Sequence, residues 1–218
     1  NQELTEAMAS DVISAGGVVL LSTEMNEIVN TISGVSVSST DGRTFDADYA
    51  VVTTTAPAAR KIVKGLSTEK EAALDAVTYG ASMQVALHIK DFTNDKKLAS
   101  CLFHNEKVNA YLDQSKDHKE NETVVCLNIA GDEAQRLDDE GVIQRVSTTL
   151  KKIYPEFDAN RSIIDYAIKR WINGIATYPP GFLTQHHDAL RAPSGRVHFG
   201  GDYTHSPELS GAAWSGVR

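Results

Sequence analysis

Apolar residues recur at Leu4, Met8, Val12 and Ala15, and Gly16-Gly17 then breaks the pattern. Spacing of three and four puts these side chains on one stripe, which predicts an amphipathic helix ended by the glycines. A β-rich stretch follows, with strands predicted over 17–21, 27–32, 34–38, 43–45 and 49–53. Asp41-Gly42 lies between two of these runs and reads as a hairpin turn, because glycine accepts positive φ cheaply. Ala56-Pro57 ends the run, and Thr68-x-x-Glu71 reads as a capping box that opens a helix through about Val77. Alternation predicts strands over 83–89 and 123–129, whereas 91–121 is polar and weakly patterned, read as hairpins or loops. Asp138-Asp139-Glu140 introduces a helix with Val142, Val146, Leu150 and Ile153 on one face, its carboxylates favoured by the macrodipole. A strand over 162–168, a Pro- and Gly-rich loop, a short strand over 196–199 and a helix from Leu209 complete the pattern. Strands and helices mix without regular alternation, so the fold class is α+β or mixed α/β, a mixed sheet flanked by helices.

Composition narrows the function classes. At 218 residues the chain is long enough to bury a substantial core. With 21 Lys+Arg against 29 Asp+Glu the net charge is -8, and no basic run is present, which argues against nucleic acid as a partner. The longest apolar runs, such as Val18-Val19-Leu20-Leu21, are too short to span a bilayer as a helix, so no membrane partner is expected. The N-terminal sequence has neither the charged nor the apolar region of a signal peptide, and it lacks an initiator Met, which hints at a processed or truncated chain. Cys101 and Cys126 form no disulfide framework and no metal-ligand spacing. A reducing, cytoplasmic setting is the resulting expectation.

The richest chemistry lies in the tail, Val197-His198-Phe199-Gly200-Gly201-Asp202 followed by Leu209-Ser210-Gly211-Ala212-Ala213-Trp214. Small residues at a helix start let a bulky ligand reach the backbone, and the free N–H groups there favour an anion or a carbonyl oxygen. An acidic residue at a strand end can accept bonds from a ribose-like hydroxyl. The same pattern also suits a tight strand-to-helix packing corner, and both readings stand at this level. His186-His187 reads as a surface loop, because no third ligand sits at helical spacing. His205 and Glu208 are candidate titrating groups in the loop before the last helix. No nucleophile-elbow sequence supports a hydrolase.

This tail resembles the C-terminal flavin-binding segment of the flavin-containing amine oxidase superfamily. Trp171 through Tyr178-Pro179-Pro180-Gly181 resembles the family's Trp…Pro-Pro-Gly loop. The stretch around Met25 resembles the family's adenine-facing strand and turn, and Asp41-Gly42 through Thr53 and Pro57 its meander back to the dinucleotide domain. The matching segments lie in family order along the whole chain. The resemblance implies FAD, held by Met25, Pro57, Gly201, Asp202, Leu209, Gly211 and Ala212, and noncovalently, because 173–178 lacks the cysteine through which monoamine oxidases attach their flavin. It implies a small-molecule substrate beside Gln84, Glu208, Trp171 and Tyr178, and a hydride equivalent passing to flavin. It further implies that residues 1–60 and 191–218 belong to the FAD-binding domain and 61–190 to the substrate domain. A homo-oligomer is left open.

Departures from the family pattern shape the expectations. No Gly-x-Gly-x-x-Gly occurs in the sequence, so the chain reads as a C-terminal portion of a longer flavoprotein, inactive alone. The family's flavin-facing lysine falls at Gln84, which can hold a water but carries no charge. The cage tyrosines fall at Glu208 and at Gly174 or Ile175, which argues against simple monoamines. Two alternatives stay open: a noncatalytic binding domain without flavin, and a desaturase, porphyrinogen or nicotinamide oxidase branch of the same superfamily.

Overall fold

The computed structural model describes residues 2–91, 100–102, 108–113, 122–131 and 133–217. The expected first helix forms as α1 (Gln2–Ser14), but its stripe stays in solvent: Met8 is 60% exposed. The strand expected over 17–21 does not form, and Val18, Leu20 and Leu21 are exposed. An extended segment becomes a strand only when a neighbour takes its N–H and C=O groups. Among the described residues no strand pairs with this run.

Three short strands follow as an antiparallel meander: β1 (Met25–Asn30), β2 (Val35–Ser39) and β3 (Thr44–Ala47). Gly42 adopts φ +87 in the predicted turn. Next, β4 (Ala50–Val52) leads into α2 (Ala56–Ile62), where the sequence had suggested an ending. Proline in the first helical turn loses no hydrogen bond and has its φ preset, so Pro57 starts this helix. The following helix, α3 (Thr68–Asp75), is capped one residue earlier than the box pattern implied: Ser67 accepts the Lys70 N–H, and Asp75 rather than Val77 ends it.

A five-stranded antiparallel sheet carries the first core. Its strands are β5 (Thr78–Lys90), β6 (Ser100–Leu102), β7 (Val108–Asp113), β8 (Glu122–Ala130) and β9 (Ile163–Thr177), in the order β6-β7-β8-β5-β9. Strand alternation sorts side chains between two faces. Met83, Val85, Leu87 and Ile89 of β5 are buried together with Val125, Leu127 and Ile129 of β8. The short helix α4 (Glu133–Arg136) precedes α5 (Asp139–Ile153), which lays Val142, Val146 and Leu150 on that face. Asp138 caps α5 by accepting the Gly141 N–H, and Asp139 pairs with Arg170 at 2.6 Å. The other face of β5 carries Ser82, Gln84, Ala86 and His88.

Two elements depart from the sequence pattern after α6 (Ala159–Ser162). The strand expected to stop at 168 runs to Thr177, so Trp171, Asn173 and Gly174 lie in β9 and not in a loop. After the Pro179-Pro180-Gly181 turn, residues read as loop form α7 (Phe182–Arg191), placing His186 and His187 on a helix. The chain closes with β10 (Val197–Phe199), a 3₁₀ turn at Asp202–Thr204 and α8 (Leu209–Ser215). A second core gathers Ile28, Val52, Ala59, Leu74, Phe182, Leu190, Val197 and Phe199. At its centre Lys70 is buried, its ammonium donating to the carbonyls of Ala189, Leu190 and Ala192 at 2.7–2.9 Å and lying 3.7 Å from the Phe199 ring centroid. Lys70 thereby satisfies the C-terminal carbonyls of α7.

Candidate cofactor corner

Strands β4 and β10 pair in parallel, Val52 opposite Phe199, so both end at the same edge. In open α/β sheets that edge, outside the carboxyl ends of parallel strands, is where ligands bind. Here it is built from Thr53-Thr54-Thr55 on one side and Gly200-Gly201-Asp202 on the other. The Gly200 N–H donates to the Val52 carbonyl at 2.9 Å and extends the ladder by one step.

Gly201 has φ +135, a conformation open to glycine, and a Cβ there would lie 3.1 Å from the Tyr203 ring. Its N–H donates to Ser215 Oγ at 2.8 Å, and that hydroxyl donates to the Ala212 carbonyl at 2.6 Å. The corner is thus tied to α8. Asp202 accepts the Ala176 N–H at Oδ2 (3.2 Å) and the Tyr203 N–H at Oδ1 (2.9 Å). A carboxylate offers about four lone-pair sites, so capacity for a ligand hydroxyl remains.

Tyr178 donates its hydroxyl proton to the Asp202 carbonyl at 2.6 Å and stacks on Phe182, centroids 5.2 Å apart. Tyr79, not singled out by sequence, takes the Ala56 N–H at 3.0 Å and so caps the start of α2, where Thr55 makes no side-chain cap. Burial first, and the Asp202 charge after it, push both tyrosine hydroxyls up to about 12.

The remaining candidates occupy distinct places. Glu208 sits at the N-cap position of α8 without a side-chain cap bond, and it is exposed next to Leu209, itself 74% exposed. Gly211 is buried, and a Cβ there would collide with the carbonyl and hydroxyl of Ser206. The protein's own loop therefore requires that glycine. Ala212 follows it in α8, its N–H bonded to the Glu208 carbonyl. Pro57 is exposed in the first turn of α2, next to Ala56 and so to Tyr79. Met25 lies half-buried in β1 opposite Ser39, on the meander. Gln84 is exposed on the open sheet face, between Asn128 of β8 and Lys169 of β9. Trp171 pairs with Ser82 two positions before Gln84 and is 40% exposed. Strands β5 and β9 join the two areas, from Tyr79 and Ala176 at the corner to Gln84 and Lys169 on the face.

Cys126 lies half-buried in β8, where burial raises its thiol pKa and leaves it a poor nucleophile. Cys101 lies in β6. No helix among the described residues is long and apolar enough to cross a membrane.

Comparisons with known proteins agree with this architecture. The family model for flavin containing amine oxidoreductase matches residues 1–218. Cyclohexylamine oxidase from Brevibacterium oxydans IH-35A superposes with a TM-score of 0.77 at 20% identity, over 99% of this chain and 49% of that one. Wild-type putrescine oxidase bound to putrescine superposes with a TM-score of 0.78 at 16% identity, over 94% of this chain and 49% of that one. The chain thus spans about half the length of these solved structures. No curated protein matches it. With the family model matching from its first residue to its last, the chain belongs to the flavin containing amine oxidoreductase family.

Proposed function

We propose that this chain forms the flavin-end corner and the substrate face of an FAD-dependent oxidoreductase acting on a small amine-type molecule. The observation that carries this reading is the glycine-lined edge where parallel β4 and β10 end beside α8. In the proposed division, residues 1–60 and 191–218 serve FAD and 61–190 the substrate.

The residues present fit the flavin end of such a cofactor. Asp202 keeps acceptor capacity for ribityl-type hydroxyls, and Glu208 at the N-cap of α8 makes no side-chain cap bond. Gly201 and Ala212 put small residues at the corner, joined through Ser215, and Met25 and Pro57 would flank the same cofactor. FAD would supply the acceptor for a hydride equivalent. This chain's residues do the rest: Gln84 holds a water or a substrate polar group on the open face, Trp171 and Tyr178 present aromatic surface, and Glu208 attracts a cationic substrate. FAD would bind noncovalently, since the stretch 173–178 before Pro179-Pro180-Gly181 holds no cysteine for attachment.

The absorption spectrum of the purified protein tests this reading. With added FAD, a visible flavin band should travel with the protein through gel filtration. Loss of all flavin on the column contradicts the proposal and supports a noncatalytic binding domain. Gln84 and Gly174 favour a second reading on the substrate side, since neither position carries a cation or a cage ring. A panel of amines, porphyrinogens, polyenes and reduced nicotinamides decides between simple amines and these larger substrates.

A further inference from the structure

The loop after β4 and the loop after β10 are each held by one tyrosine. The Tyr79 hydroxyl holds the Ala56 N–H at 3.0 Å, and the Tyr178 hydroxyl holds the Asp202 carbonyl at 2.6 Å. Both tyrosines stand at the same end of the β5–β9 ladder. Tyr79 pairs with Ala176, Tyr178 follows β9 directly, and both rings pack against the second core. Between them the Ala176 N–H donates to Asp202 Oδ2, which adds a third tie from the ladder to the β10 loop. The Asp202 charge acts on both hydroxyls, and Tyr79 acts on Tyr178, which places the three groups in one electrostatic cluster.

We propose that Tyr79 and Tyr178 form a paired latch that fixes both strand-end loops to the ladder carrying Gln84 and Trp171. They are positioning residues: they act on the cofactor corner through Ala56 and Asp202. Gln84 lies five residues along β5 from Tyr79, about 17 Å of extended chain. A shift of the latch therefore changes the register between corner and substrate face. This inference rests on the flavin reading for its functional meaning, while the latch itself is a property of the chain.

The test is a four-member cycle of wild type, Tyr79→Phe, Tyr178→Phe and the double variant, each purified whole. Two readouts are taken: the FAD dissociation constant from flavin fluorescence, and amide hydrogen exchange. Each single change removes one hydroxyl bond and should weaken FAD by about threefold to tenfold. The double variant should weaken it by less than the product of the singles, because the two hydroxyls act through one cluster. Effects that multiply independently, or no effect on FAD, overturn the latch. In Tyr79→Phe, exchange should quicken at Ala56 and also at Ala176 and Tyr203, whose N–H groups Asp202 accepts. Quickening confined to Ala56 means a local cap only and overturns the proposal. Should wild type retain no flavin, the proposed function falls, and the spread of exchange to Ala176 and Tyr203 alone decides the latch.

Discussion

Helices α1 and α5 carry the same kind of stripe and meet opposite fates. Val142, Val146 and Leu150 of α5 are fully buried on the five-stranded sheet, whereas Leu4, Met8 and Val12 of α1 lie in solvent. The strands repeat the contrast. Leu87 of β5 is 0% exposed, while Val51 of β4 is 67% exposed. Parallel sheets are normally covered on both faces, and a two-stranded parallel pair has little with which to cover itself. Periodicity encodes amphipathicity; it does not encode what covers the apolar side. The sheet region finds its cover within this chain, and the β4–β10 region does so only on its inner side, through the Lys70 and Phe199 core.

Mutations should separate the two regions. Leu87→Ala in the sheet core should cost about 2–5 kcal/mol in urea unfolding, as a cavity opens among close-packed neighbours. Lys70→Met should cost about 1–3 kcal/mol, because the carbonyls of Ala189, Leu190 and Ala192 at the end of α7 lose a charged donor. A near-neutral Lys70→Met in the same unfolding series would show the corner's inner side to be as loosely held as its outer side. Gly201→Ala should cost about 1–3 kcal/mol from its backbone conformation and should also weaken flavin binding, read together by thermal melting and fluorescence. At the small end, Val51→Thr and Met8→Gln should each change stability by less than about 0.5 kcal/mol, because neither side chain is covered.

Alkaline titration sharpens the comparison in another way. Tyr79 and Tyr178 ionise near 12 when folded, against an ordinary value of 10.0. The folded state therefore keeps these protons over a window in which the unfolded state has lost them. The stability they contribute is intact below about pH 10 and falls as pH rises toward 12. Urea midpoints measured across that range should decline in wild type, and the decline should shrink in the Tyr79→Phe, Tyr178→Phe double variant.

Sequence made the sheet region more legible than the corner. The α5 stripe and its Asp138 cap are local signals, and alternation in β5 and β8 marked both strands, though not the full length of β5. The missed helices have local explanations. Pro57 reads as a stop unless its place in a first turn is known, and the polar Gln185-His186-His187 run hides the buried Phe182 and Leu190 of α7. Gly201 and Asp202 stand out in sequence as a glycine pair ahead of an acid, and they follow β10 at the edge described above. Tyr79 and Lys70 do not stand out, since their partners lie 23 and 119–122 residues away. Gly211 was read for a ligand's sake, and the structure gives it a first use in seating Ser206.

Amide hydrogen exchange with and without FAD tests the central claim most directly, since it reports on both regions at once. The account predicts slower exchange on adding FAD in residues 53–57, 200–203 and 209–212, with no change across β8 and α5. Unchanged exchange at the corner, or protection gained only on the five-stranded sheet, would contradict it.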